Sequence, residues 1–457
     1  MTFSHVILKN NSLSFDIENI DKSLVNAIRR IAINEIPTIA FKTEPITESN
    51  IQIIENRSGL HNEFLSHRIG MTPLYIPEDE IQNHDSNNYT YVLDILNNTD
   101  EILEVTTEHF QIKIAEGVFL ERAKVKKIFP PDRITGDYMI ITRLKPDITG
   151  NKNGERIHIE ARATKDIGLK NARWSPIETC TYNFKRDKRE GLVQFKIDIE
   201  KINDGRRTNN MPLLTKNEED DLLKTYEIHN FDRFYLKDNF GEPNSFECRL
   251  ITINLPPVYV IRKAMSIIVD KIQKIKYELE NIEESTLVSI DDCENRNIPY
   301  CVDITIKDES HTIGNLFQSY INIYSHNMNS AVVSVDMVGY KCPHPLEKKI
   351  ILRIKPKNID SISENYDYYS ISRNIVIKTC DSLISLINEL IIEWNNITQH
   401  NSDNISSNAD TDVEANEIMI VGAAGDGDGD GDGDGNIKDD SIDQNKKKDL
   451  FREYNED

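Results

Sequence analysis

Residues 20–41, IDKSLVNAIRRIAINEIPTIAF, contain the pattern on which the interpretation of this chain depends. Apolar residues recur there at spacings of three and four, which predicts an amphipathic helix whose stripe is Leu24, Ile28, Ile31 and Ala32. Asp21 and Ser23 offer side-chain oxygens for the N-cap, and Pro37 is expected to end the helix. Taken alone, this periodicity is more typical of an ordinary core helix than of a functional element.

A second stretch repeats the arrangement later in the chain. Residues 308–321, DESHTIGNLFQSYI, again predict a strand that leads into a capped helix. The apolar stripe of this second helix consists of Ile313, Leu316, Phe317, Tyr320, Ile321 and Tyr324. Asn315 occupies the position that Asn26 has in the first copy. Two copies of one unit predict two lobes that pair with each other.

The charge of the chain is concentrated at its C-terminal end. The 457 residues carry a net charge of −22, and residues 401–457 alone hold 17 acidic and 5 basic residues. The rest of the chain has no basic excess of the kind expected in a protein that grips the phosphate backbone itself. Any contact with DNA or RNA is therefore predicted to be indirect.

The cysteines and the hydropathy of the chain indicate in which cellular compartment the protein is expected. The six cysteines are scattered, with no pair at C-x-x-C spacing, which fits free thiols in a reducing compartment better than a disulfide framework. The N-terminal residues lack the apolar segment of a signal peptide, and no apolar run approaches ~18 residues. We therefore expect a soluble intracellular protein with no membrane partner.

The order of elements predicts an α+β fold. Residues 6–18 alternate as a strand before the first helix, and residues 38–43 read as a strand after it. Short β-like runs follow at residues 91–95, 139–142, 157–161 and 193–199. Pro256–Pro257 introduces a long helix, where proline is tolerated because the first helical N–H groups lack partners, and a final helix lies near residues 376–397.

These elements predict two dimerisation lobes, each with helices on a small sheet, paired within one chain. The expected domains are a first lobe at 1–44 and 245–284, a mostly β insertion at 45–244, a linker at 285–298, a second lobe at 299–400 and a disordered acidic tail at 401–457. The tail contains GDGDGDGDGDG at 425–435. Magnesium and calcium sites need fixed ligand geometry, and a nucleotide loop needs a strand and a helix around it, so we interpret this run as a solvated spacer.

Three motifs in the first lobe and the insertion resemble one protein family. They are VNAIRRIAINEIPTIAF at 25–41, IIENRSGLHNEFLSHRIGMTPL at 53–74 and ARATKDIGLKNARWSPIETCTY at 161–182. They resemble the third-largest subunit of eukaryotic RNA polymerase II, its polymerase I/III and archaeal counterparts and, distantly, the bacterial alpha subunit.

The second lobe resembles the small alpha-like partner, the eleventh subunit, through DESHTIGNLF at 308–317 and VGYKCPHPLEKKIILRI at 338–354. The resemblance covers about residues 1–400. The two partners are normally separate chains, and here they look fused, as in polymerases encoded by large DNA viruses.

The resemblance implies an assembly platform without an active site of its own. Its lobes would pair through Leu24, Ile28, Ile31, Ile313, Leu316, Phe317 and Tyr320. It would dock the two largest polymerase subunits, and smaller ones, through Arg29, Arg30, Glu63, His67, Arg68, Lys165, Asn171 and Trp174. No cofactor and no small-molecule substrate are implied.

Neither of two candidate metal sites has the residues or the spacing that it needs. The family often carries a cysteine-rich zinc loop in its insertion, but the corresponding residues 77–94 contain no cysteine, so we predict no zinc there. His61, Glu63 and His67 superficially suggest a metal site, but histidines six apart do not share a helix face, whereas zincin histidines are four apart.

Two hypotheses from different classes follow. The first is a structural subunit of a multisubunit DNA-directed RNA polymerase, expected in the host-cell cytoplasm or the virion if viral and in the nucleus otherwise. The second is an autonomous interaction protein or decoy that uses the same dimerisation fold. A decoy would not need docking motifs on both lobes and the insertion together, which favours the first hypothesis.

Overall fold

The computed structural model describes a defined part of the chain: residues 2–115, 117–147, 154–293, 298–326, 334–357, 367–406 and 418–420. For residues 399–406 and 418–420 only the backbone is described. Most of the tail predicted to be disordered, residues 407–417 and 421–457, lies outside the described residues.

The first lobe begins with a hairpin and a helix. Its first elements are β1 (Thr2–Lys9), β2 (Ser12–Glu18), α1 (Lys22–Asn34) and β3 (Pro37–Phe41). Asn10, between the two strands, has a φ of 51°, a left-handed conformation that asparagine tolerates in turns. The single strand predicted over residues 6–18 is therefore corrected to a two-stranded hairpin.

The inserted segment is a mixture of short strands and helices. Its elements are β4 (Ile51–Asn56), α2 (Asn62–Gly70), α3 (Glu78–Gln82), β5 (Tyr89–Leu96), β6 (Leu103–Thr106), β7 (Gln111–Ile114), α4 (Arg122–Ile128), β8 (Ile140–Leu144), β9 (Arg156–Ala161), β10 (Ala163–Ile167), β11 (Ile177–Phe184), α5 (Lys188–Thr208) and α6 (Lys216–His229). The strand predicted at residues 193–199 is wrong, because these residues lie within α5.

The rest of the chain completes both lobes. Its elements are β12 (Ser245–Thr252), α7 (Pro257–Glu280), β13 (Val288–Asp292), β14 (Val302–Lys307), α8 (His311–His326), β15 (Val335–Lys341), β16 (Lys349–Pro356), α9 (Tyr368–Ser406) and β17 (Ile418–Ile420). The linker predicted at 285–298 is corrected, because β13 pairs with β14 as an edge strand of the second lobe. The last helix begins eight residues before the predicted 376 and continues past the predicted end of the lobe at 400.

Antiparallel sheets organise the two lobes. The first sheet has the order β11-β12-β2-β1-β17, and the second has the order β13-β14-β16-β15. A further sheet, β4-β9-β5-β7, and the pairs β10-β3 and β6-β8 belong to the inserted segment and its junction with the first lobe. Because β11 pairs along its length with β12, residues 177–184 lie in the first lobe's sheet, although they fall inside the predicted insertion.

The helices of the two lobes share one hydrophobic core. Leu13, Phe15 and Ile17 alternate along β2 toward the helices and are buried, as expected for a strand with one face in the core. α1 and α7 cover the first sheet, α8 and α9 cover the second, and α1 packs on α8 while α7 packs on α9. Among the residues that the structure describes, none of the helices combines the length and the hydrophobicity of a membrane-spanning segment.

Candidate subunit-pairing and docking surfaces

Helix α1 is fixed at its start by one of its two predicted capping residues. Asp21 has an extended backbone, and its side chain accepts a hydrogen bond of 2.8 Å from the Ser23 N–H. This bond satisfies one of the helix's unpaired N–H groups. The Ser23 hydroxyl is buried and has no hydrogen-bond partner in the described part of the chain, so Asp21 is the cap and Ser23 is a packing residue.

The predicted pairing residues are all buried, on two helices that pack together. Their exposed fractions range from 0 to 7%, for Leu24, Ile28, Ile31, Ile313, Leu316, Phe317 and Tyr320. Two contacts join α1 to α8 across the lobes. Arg30 Nε donates a 2.8 Å hydrogen bond to Thr312 Oγ1, and Tyr320 lies beside Asp21, where burial raises the pKa of its hydroxyl.

Ile28 stands apart from this set. It lines a small apolar cavity together with Phe15, Cys180 and Ile261, all of which belong to the first lobe. Its side chain therefore faces the sheet of its own lobe. The assignment of Ile28 to the pairing surface stays a prediction, and a charge placed there would disrupt the first lobe's core before it reported on pairing.

A tryptophan that the sequence pattern did not assign to pairing lies at the second contact between the lobes. Trp394, on α9, is fully buried. Its Nε1 donates to the carbonyl oxygen of Val258 on α7 at 3.1 Å. Its ring meets Phe3 and Phe15 of the first sheet edge-on, with centroids 5.0 and 5.2 Å away, a geometry that aromatic quadrupoles favour. The second lobe thus inserts its largest side chain into the first.

A partly buried charge cluster also joins the lobes. Lys271 Nζ on α7 lies 3.0 Å from Glu35 Oε2 and 3.0 Å from Glu309 Oε1. Burial raises the pKa of the Glu309 carboxyl despite the lysine beside it. Burial opposes the charge of Lys271 as well, but the two carboxylates outweigh it and raise the lysine pKa. The cluster holds two acids and one base. Because charges removed from water are costly without their partners, these three residues favour the one relative position of the lobes that brings them together.

The segment 165–175 completes the end of α1. The Leu169 N–H donates to the Asn34 carbonyl at 2.7 Å, and Ser175 Oγ donates to the Ile33 carbonyl at 3.0 Å. These bonds satisfy carbonyl groups that the end of a helix leaves unpaired. A Cβ added to Gly168 would lie 2.6 Å from the Ile33 carbonyl oxygen, so the close approach requires glycine.

Within this segment the three predicted docking residues have different environments. Lys165 is exposed and donates to the Gln82 carbonyl at 3.0 Å. Asn171 is half-buried and caps a short turn by accepting from the Arg173 N–H at 3.1 Å. Trp174 is 4% exposed and donates through Nε1 to the Thr164 carbonyl. The prediction that Trp174 contacts a partner is therefore corrected: it packs the segment against the body of the protein.

Helix α2 presents the other predicted docking residues on its exposed side. Glu63, His67 and Arg68 are all exposed. His67 Nδ1 lies 3.4 Å from Glu44 Oε1, and Arg68 Nη2 donates to the Ile140 carbonyl at 2.7 Å. The end of α2 approaches segment 165–175, because a Cβ on Gly70 would lie 2.9 Å from Arg173 Nη1. The two predicted docking segments therefore adjoin each other.

The paired arginines of α1 have different neighbours. Arg29 is held by Asn26 Oδ1 through its Nε and Nη2, at 3.1 and 3.0 Å, which presents the guanidinium beside Cys180 on β11. Arg30 contacts the second lobe instead.

In the described ranges no group of three or more His, Cys, Asp or Glu side chains could hold a metal ion.

Comparison with known proteins identifies both lobes. A family model described as the RNA polymerase Rpb3/Rpb11 dimerisation domain matches residues 14–272, and a second model with the same description matches residues 301–392.

Individual relatives match the chain at lower coverage. A "conjugation stage-specific protein" of Tetrahymena thermophila is 30% identical over 179 residues, which are 37% of this chain and 54% of the relative. DNA-directed RNA polymerase subunit Rpo3 of Methanobrevibacter smithii is 28% identical over 177 residues, 38% of this chain and 54% of the relative. DNA-directed RNA polymerases I and III subunit rpac1 of Dictyostelium discoideum is 28% identical over 197 residues, 38% and 50%. The chain spans about half the length of each of these relatives.

Proposed function

Because this chain belongs to the family of the RNA polymerase Rpb3/Rpb11 dimerisation domain, we propose that it is a non-catalytic assembly subunit of a multisubunit DNA-directed RNA polymerase. In this proposal its two lobes form an alpha-like heterodimer within one chain. The paired lobes dock the two largest polymerase subunits and smaller ones. They contact DNA and RNA only indirectly and contribute no active site.

The observation that carries the proposal is the contact between the lobes. Two matches to the dimerisation domain lie in one chain, and the helices of the two matched regions pack on each other. The Lys271 cluster and the Arg30–Thr312 bond cross from one matched region to the other, and Trp394, two residues beyond the second match, contacts Val258 in the first. Covalent connection makes this pairing intramolecular and raises its effective concentration, so the fused partners would not depend on a separate association step.

The exposed residues of α2 and segment 165–175 support the docking part of the proposal. Glu63, His67, Arg68 and Lys165 are solvent-accessible and lie on adjoining segments. Charged side chains at the rim of an interface set its specificity and association rate more than its affinity. We propose that this surface orients one large subunit, with Asn171 and Trp174 holding the backbone of the segment in place.

We also propose the cellular compartment in which the protein functions. All six cysteines are free thiols, which suits a reducing intracellular setting. Fusion of the two partners favours a viral polymerase of the eukaryotic type. That origin places the protein in the host-cell cytoplasm or the virion, and a cellular origin places it in the nucleus.

The experiment is an affinity purification of the tagged full chain from its native cell, with mass spectrometry and a template-dependent RNA synthesis assay. Arg68→Glu reverses an exposed charge on the docking surface, and Lys224→Glu on α6 is the matched control, with a side chain 76% exposed. We expect wild type and Lys224→Glu to recover two very large subunits near one-to-one with activity, and Arg68→Glu to recover at least tenfold less.

Two outcomes would contradict this. Equal recovery in Arg68→Glu would remove the docking role from α2. Recovery of regulatory factors without large subunits from the wild type would instead favour the decoy hypothesis.

A further inference from the structure

The outer edge of the first sheet is covered by a strand from the chain's own tail. β17 pairs antiparallel with β1, with Ile420 opposite Val6 and Ile418 opposite Leu8. In the sequence, residues 418–421 (IMIV) form the only run of more than two large apolar residues after position 406. The ladder with β1 accounts for this apolar run in an otherwise polar and acidic tail.

The other half of the same edge is closed in a different way. The pairing of β1 with β2 shifts register between Ser4 and Ile7, so a bulge interrupts the strand there. N-terminal to the bulge, the Phe3 N–H donates to Glu393 Oε1 of α9 at 2.9 Å. A side chain thus covers one half of the edge and β17 covers the other.

We propose that Ile418–Ile420 is an intramolecular cap that closes β1 against strand addition by a second copy of the chain. An uncovered edge strand presents a row of unpaired N–H and C=O groups and can pair with the same edge of another molecule. β1 contains Val6, Ile7 and Leu8 at this position, which are residues of high β-propensity or apolar character. Without its cap, β1 would extend the sheet across a two-fold axis into a second copy.

The length of the connection suits a reversible cap. Residues 407–417 join the end of α9 to β17, and eleven residues reach at most about 40 Å when extended. A three-residue ladder is weak alone, but tethering keeps it at high effective concentration. The tether therefore supports a cap whose own ladder is only three residues long.

Like-charge repulsion is the competing explanation for keeping copies apart. The acidic Gly-Asp residues follow the strand, from residue 425 onward, and net charge opposes association. The two effects can be separated because the strand precedes the acidic segment. A chain ending at Gly422 retains the strand and loses the Gly-Asp segment, whereas a chain ending at Ser406 loses both, together with Asp410, Asp412, Glu414 and Glu417.

The test compares the full chain with these two truncations by analytical ultracentrifugation over a hundredfold concentration range. We expect the full chain and 1–422 to remain monomeric and 1–406 to approach twice the monomer mass. Ile7→Lys in the 1–406 background should restore the monomer, because a lysine on an edge strand blocks pairing. Thermal melts followed by circular dichroism check that 1–406 is folded, which equal melting temperatures of 1–406 and the full chain would show.

Any one of the following three results would overturn the proposal. If 1–406 stays monomeric, β1 needs no cap. If 1–422 associates as strongly as 1–406, charge rather than the strand keeps the copies apart. If Ile7→Lys leaves the association unchanged, it does not occur through β1.

Discussion

Helices α7 and α5 are of similar length, 24 and 21 residues, but they are held in opposite ways. α7 buries ten residues between the first sheet and α9, whereas α5 buries only Gly191, Phe195 and Ile199. Its neighbour α6 has no buried residue. Most helical stability in proteins comes from packing of an apolar face, so the contact between the lobes should carry the global stability, and the α5–α6 hairpin should be able to open by itself.

The hairpin has local polar contacts beside one ring contact, in which Phe195 and Tyr226 meet edge-on with centroids 5.2 Å apart. Thr215 and Glu218 form a capping box at the start of α6. The Tyr226 hydroxyl donates to Asp198 Oδ2 across the two helices at 3.0 Å. Such contacts fix local geometry but contribute little to cooperative unfolding. Substitutions in the two regions should therefore differ in which measurement detects them.

The largest effect is expected for Trp394→Ala at the lobe contact. The change removes a fully buried ring and its hydrogen bond to Val258. Truncation of a buried tryptophan costs about 3–5 kcal/mol, measured as the free energy of unfolding in denaturant. Ile392→Ala on the same helix is the control, because its side chain is 60% exposed and its change should stay within about 0.5 kcal/mol. Equal effects for the two variants would place the lobe contact elsewhere.

The second prediction concerns the charge cluster and pH. Burial raises the folded-state pKa of Glu309 above its unfolded value, so the folded protein binds this proton more tightly. The resulting contribution is most favourable below the unfolded pKa and is lost as pH rises through the folded pKa. Glu309→Gln cannot ionise, so the variant should gain stability relative to wild type as pH rises above about 4, the usual pKa of an unfolded glutamate. Each tenfold difference in proton affinity between the folded and unfolded protein contributes about 1.4 kcal/mol to this gain.

Unfolding free energies of both proteins across this pH range check the sign. Glu280→Gln on α7 is the control, since its side chain is 48% exposed and its effect should be small and nearly independent of pH. A constant difference between wild type and Glu309→Gln would show that Glu309 is not destabilised by burial.

The sequence predicted the elements whose signals are local. The cap at Asp21 and the stripe of α1 depend on residues within one helix, and the structure has both. The strand predicted at 193–199 failed because VQFKIDI alternates apolar and polar residues and also places Phe195 and Ile199 four apart. The structure buries those two and leaves Val193 and Ile197 exposed, so the helical period applies and the alternation is accidental.

The candidate site was less accessible to sequence reasoning, for two physical reasons. Lys271 lies on α7 and Glu35 directly follows α1, both in the first lobe, and Glu309 of the second lobe meets Lys271 only when the lobes pair. No local spacing indicates that. Trp174 lies in a motif shared with the family, but a motif does not show whether its side chain faces a partner or the core. Trp394 could have been found, since a tryptophan within an apolar stripe of a helix is a frequent anchor of an interface.

The smallest effect is expected for Thr215→Ala in the hairpin. Loss of an N-cap threonine costs about 1 kcal/mol, which corresponds to roughly fivefold faster amide exchange if α6 opens locally. Because α6 buries no residue, the global melting temperature should not change. Thr225→Ala is the control: this threonine lies inside α6 and donates to the Asp221 carbonyl, and alanine there should preserve or slightly raise helix stability. If Thr215→Ala lowers the melting temperature as Trp394→Ala does, the hairpin unfolds together with the lobes, and the distinction between the two regions is lost.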